Sequence, residues 1–157
     1  MRTQEVIDAV ERERARLLQA VDAVGDGISV NELGWTVKDV LGASIHWVGM
    51  IAFGMGAQLV PPSYVMSGAG PSVSGDEWNA RAVEHYSPWS FEEVKTEFNR
   101  NVDALIAQAR LRSDEEMNAT DSLAWAGERP LWQKIGVESF LYNWPLRTEE
   151  VERAGGR

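Results

Sequence analysis

The chain has no cysteine and only two histidines, His46 and His85. The first absence excludes disulfides, thiolate nucleophiles and cysteine-ligated metals. The second excludes a metal held by three histidines of one chain. Positive charge is scarce as well: 15 Lys and Arg stand against 24 Asp and Glu, a net charge of -9. With so few cations to neutralise phosphates, general nucleic-acid binding is not expected, and an anionic membrane surface is disfavoured for the same reason. The first residues, MRTQEVIDAVERER, are charged and amphipathic and lack a signal-peptide core, so a cytoplasmic location is the expectation. Internal repeats and strand-period alternation are also missing.

Charge of either sign is absent from a long internal run: no Asp, Glu, Lys or Arg occurs between Val40 and Gly75. Thr36-Val-Lys-Asp39 opens this run as a capping box, in which Thr accepts from the third helical N–H and Asp answers back. Val40, Leu41, Ile45, Trp47, Val48, Met50, Ile51, Phe53, Met55 and Leu59 then fall on almost every side of one helix. A helix apolar all round must be surrounded by other helices or by lipid. Val40 to Val60 has the length of a membrane span, about 20 residues. Ser44, His46, Gln58 and four glycines interrupt it, however, and its flanking segments are amphipathic and need a buried partner. The run is read as the central helix of a soluble bundle.

At 157 residues the chain fits a single domain, 1–157, with a substantial core. Residues 3–24 carry a helical stripe of Val6, Ile7, Val10, Leu17, Leu18, Val21 and Val24, closed by Gly25-Asp26-Gly27. The second helix is expected to run on to Val60 and stop at Pro61-Pro62. Residues 61–75, rich in Pro, Gly and Ser, make a connection long enough for a crossover. A short helix is expected over 76–86, with Pro88 interrupting. Ser90-Phe-Glu-Glu93 is a second capping box before a third long helix ending near Leu111. Residues 112–129 read as irregular. Pro130 starts a fourth helix that Pro145 either kinks or restarts, and the charged tail 148–157 is expected to fray. Together these elements predict an all-α four-helix bundle.

The segment GWTVKDVLGASIHW resembles the second-helix signature of the DinB/YfiT-like superfamily: Trp, then Ser or Thr, a basic–acidic pair, and a histidine four residues after the acid. The match is closest to the DfsB/ClbS-type branch. DEWNARAVEHYSPWSFEEVKTEF is similar to that branch's third-helix region, and YNWPLRTEEV to its final motif. The resemblance covers most of the chain and implies a DinB-like bundle in up-down-down-up order. Its metal-binding members converge one histidine from helix 2 with two spaced i, i+4 on the last helix. Here those positions carry Ala43, Asn143 and Arg147. No metal and no cofactor is therefore expected. The resemblance carries two enzyme precedents, metal- and thiol-dependent transferases and self-resistance hydrolases of a strained electrophile. Loss of the triad weakens the first more than the second.

Five residues are the ligand-binding candidates: His46, Trp47, Asn143, Trp144 and Arg147. His46 is either a hydrogen-bonded core histidine or a pocket residue; His85 is expected at the surface. Most of the seven tryptophans pack in the core, but Trp47 and Trp144 flank the former metal positions, where aromatic walls suit a small-molecule pocket. Arg147 either pairs with Glu150 or points inward to bind a carboxylate or phosphate. Glu138 is expected at a solvated position. Catalytic residues are not identified. The functional expectation is a metal-free protein that binds, and can modify, a small polar or anionic molecule in the bundle pocket. The alternative is a non-catalytic interaction protein acting as a homodimer.

Overall fold

The computed structural model describes residues 1–66 and 73–156. Among them every regular element is helical, so the protein is all-α. Helix α1, Thr3–Val24, buries Val6, Ile7, Val10, Leu17 and Val21 along one stripe. Each side chain so buried contributes roughly 1.5–3 kcal/mol. The Gly25 N–H closes the helix by donating to the Val21 carbonyl, from a backbone φ of 78° that favours glycine.

Helix α2, Val37–Gly54, begins at the expected capping box, with Thr36 accepting from the Asp39 N–H. It ends sooner than the prolines would require. The chain turns at Met55 and Gly56, whose φ of 107° few other residues tolerate, and the Ala57 N–H returns to the Ala52 carbonyl. α2 packs against later helices on several sides. Short α3, Ser63–Met66, and α4, Gly75–Tyr86, follow, and α4 lies on α2. Residues 67–72 of the expected 61–75 loop lie outside the described residues.

Helix α5, Phe91–Arg110, starts at the Ser90–Glu93 box and packs on both α2 and α1. The stretch expected to be irregular contains α6, Asp114–Asn118, with its own Ser113–Glu116 capping box, and a 3-10 turn at Ala124–Ala126. Helix α7, Leu131–Val137, is separated from α8, Asn143–Ala154, by the turn 138–142. Pro145 thus lies in the first turn of α8, where a missing N–H costs little, and the chain restarts rather than kinks. The expectation that 148–157 frays is corrected through Ala154. Thr148 and Val151 are fully buried, because Trp144, Thr148 and Val151 form a stripe that docks α8 on α1. No helix among the described residues is long and apolar enough to cross a membrane.

Candidate functional site

Helix α2 presents Ala43 and Trp47, one turn apart, on the side where α7 and α8 meet it. Ala43 is buried. Trp47 stands between two open hollows, each about 270 Å³. One is lined by Trp47, Ile51, Trp125, Ala126, Arg129, Lys134, Val137 and Glu138. The other is lined by Trp47, Gly75, Asp76, Asn79, Val137, Glu138, Tyr142, Asn143, Leu146 and Arg147. Trp47, Val137 and Glu138 are common to both, so the hollows form one groove divided by a tryptophan and a carboxyl. The Trp47 indole is fixed by donating from Nε1 to Asn79 Oδ1 at 2.7 Å.

Glu138 follows α7 at the start of the turn that breaks the last helical segment. Its carboxyl makes no hydrogen bond or ion pair with the described residues, and burial pushes its pKa up to about 7. The expected solvated position is corrected by this placement. Lys134, one turn earlier, does not neutralise it. That ammonium is itself buried and donates to the carbonyl oxygens of Thr120, Ser122 and Leu123. The cradle pins a loop in which Leu123 adopts a left-handed φ of 55°.

The candidate residues separate into three places. Trp47, Asn143 and Arg147 meet in the second hollow. The Arg147 guanidinium, however, is already engaged: Nη1 donates to both oxygens of Glu150, at 3.0 and 2.9 Å. It also lies over the Trp35 ring, 4.8 Å from its centroid. Trp144 lines neither hollow. It is fully buried with its ring against Phe98, and its Nε1, like Thr148 Oγ1 one turn on, has no hydrogen-bond partner.

His46 faces elsewhere, into a small, partly open cavity of about 40 Å³ between α2, α5 and the 59–65 segment. Its Nδ1 and the Tyr64 hydroxyl share a hydrogen bond of 2.9 Å. The imidazole also stacks on Trp78 and meets Trp47 edge-on. Burial lowers its pKa to about 4, so the ring is neutral at physiological pH. Tyr86 and Asn101, both buried, complete the polar lining with Glu97 and Arg100. Glu97 is committed to Arg100, at 2.5 and 3.2 Å, and to Asn101, at 3.0 Å. His85, expected at the surface, is half-buried among Tyr64, Tyr86 and Trp89, and burial lowers its pKa.

Sequence reasoning placed Trp47 and Asn143 usefully but passed over Tyr64, Asn79 and the true setting of Glu138. The Lys134–Glu138 spacing reads as an exposed i, i+4 pair, and that signal misleads because the lysine turns to backbone carbonyls instead. Among the described residues no three His, Cys, Asp or Glu side chains are grouped to hold a metal ion.

No family model matches the chain and no curated protein does. Among solved structures, a Streptococcus pneumoniae protein from the Northeast Structural Genomics Consortium superposes with a TM-score of 0.76 at 15% identity, over 98% of this chain and 90% of that one. An uncharacterised protein from Escherichia coli gives a TM-score of 0.72 at 10% identity, over 99% and 93%. At these identities the likeness is one of fold alone: the chain is an all-helical protein similar in architecture to these two bacterial structures.

Proposed function

We propose that the chain is a DinB-like bundle of α1, α2, α5 and α8 that binds a small polar molecule in the groove divided by Trp47 and Glu138. The observation that carries this reading is the Glu138 carboxyl: half-buried, without a partner among the described residues, and open to a hollow with an aromatic wall. A polar group taken out of water without a partner costs free energy, and a ligand that supplies the partner recovers it. Small-molecule sites commonly combine apolar walls with a few such groups. A carboxyl held near neutrality can also give or take a proton, so chemistry on the bound molecule is within its reach.

The metal of the resembling family does not fit this site. Ala43 offers no lone pair, and the Arg147 guanidinium is always protonated and already closed by Glu150. No step of this reading runs through a metal. An anionic ligand is also disfavoured, since it would have to displace Glu150 from Arg147. The test is thermal-shift screening against small amines, amides, alcohols and carboxylates, with the wild type beside a Trp47→Phe variant whose fold is checked by circular dichroism. Stabilisation by one chemical class, diminished in the variant, is the expected result. A screen in which no class stabilises the wild type overturns the reading.

A further inference from the structure

The hollow at the α4 and α8 end of the groove collects charge unequally. Asp76 enters it from α4, Glu138 from the turn after α7, and Arg147 from α8. Arg147 is neutralised by its two bonds to Glu150, and the guanidinium plane is covered on one side by Trp35. Neither Asp76 nor Glu138 has a hydrogen bond or ion pair among the described residues. Two cations border the neighbouring hollow, Arg129 and Lys134. Lys134 is spent on three carbonyl oxygens, and Arg129 is exposed on the far side of the Trp47–Glu138 divide.

We propose that this hollow selects an organic cation, a primary ammonium or guanidinium on a small apolar body, with Glu138 as its ion-pair partner and Trp47 as its wall. The inference rests on the ligand-binding reading above and narrows it to a substrate class. Three features of the hollow converge on that class. Two carboxyls without a partner among the described residues repel an anion and attract a cation. The partial burial of Glu138 strengthens its share of the attraction over its value in water, whereas Asp76 acts from an exposed position. An indole is the aromatic ring best suited to hold a cation against its face. The Asn143 amide, beside Glu138 in the lining, adds a carbonyl oxygen that accepts from an ammonium N–H. A neutral alcohol of the same shape would meet the wall and give one hydrogen bond to a carboxyl, but it brings no charge to offset either carboxylate.

The experiment uses three probes of one shape: benzylamine, benzyl alcohol and benzoate. Binding is followed on the indole N–H resonance of Trp47 in 15N-labelled protein, assigned by its absence in Trp47→Phe. Benzylamine is expected to shift that resonance saturably, and benzoate to leave it unmoved. Benzylamine stays protonated from pH 6 to 8 while Glu138 ionises, so its affinity should rise about tenfold across that range. Glu138→Gln should weaken benzylamine about tenfold at pH 8 and flatten the pH dependence; Asp76→Asn should weaken it too, which gives a second reading if Glu138→Gln unfolds. Benzyl alcohol or benzoate binding as tightly as benzylamine would overturn the cation assignment while leaving the groove a binding site. Benzylamine affinity unchanged in Glu138→Gln and flat in pH would also overturn it. Silence of the resonance to all three probes would overturn both the assignment and the reading beneath it.

Discussion

His46 and Glu138 are both displaced from their ordinary titration ranges by burial, and their effects on stability run in opposite directions. The His46 imidazole titrates near 6.5 in an unfolded chain but about 4 in the folded one. Between those values the unfolded state takes the proton and the native state does not. Its contribution is therefore present above about pH 6.5 and is lost as pH falls toward 4, by up to about 3 kcal/mol. Glu138 is raised from 4.5 to about 7, so its neutral form favours the native state below about pH 4.5. That contribution is lost as pH rises through 7. Over the range where both titrate, the two effects partly cancel. His46→Gln should accordingly gain stability relative to the wild type as pH falls from 6.5 to 4.5, because the opposing Glu138 contribution is then no longer offset, read from urea midpoints at each pH. Equal slopes in the two proteins would mean that the native imidazole is not held neutral.

Helix α2 owes its position to what glycine omits. A Cβ on Gly49 would lie 2.7 Å from Asn101 Oδ1 on α5, and Asn101 is itself held by two bonds from its amide to Glu97. Gly49→Leu should therefore push α2 off α5 and destabilise by about 1–3 kcal/mol, seen as a lower urea midpoint. An unchanged midpoint would mean that Asn101 swings aside at little cost. Elements of this kind were legible where the signal is local. The capping boxes at Thr36 and Ser90 name their own hydrogen bonds, and the α1 stripe names its own face. The Ser113–Glu116 box before α6 carried the same signal within a stretch too polar to suggest a helix. The docking of α8 was harder to read, because Thr148 and Val151 sit among charges whose faces only the partner helix sorts out. The candidate site was legible at Trp47 and Asn143, whose neighbours lie on predicted helix faces. It was not legible at Glu138, since burial of a carboxyl depends on a chain break that Pro145 signals only seven residues later.

At the scale of the whole molecule, a net charge of -9 accompanies a groove with two carboxyls that have no partner among the described residues, so the pull on the proposed cation should weaken as added salt screens it. Scarcity of lysine has another effect. The sequence has only Lys38, Lys95 and Lys134, and all three ammonium groups are occupied. Lys38 donates to the Ser87 and Trp89 carbonyls, Lys95 pairs with Asp22, and Lys134 sits in its carbonyl cradle. Of these Lys134 alone is closed off from solvent, at 2% exposure. An acylating reagent can reach it only after the 119–127 loop lets go. In a timed acetic anhydride reaction read by peptide mass spectrometry, Lys38 and Lys95 should be modified first and Lys134 last. Modification of Lys134 as fast as Lys38 would mean that the cradle is open in solution. If the order holds, the acylation clock of one native lysine records how often the wall carrying Trp125 swings away from the groove.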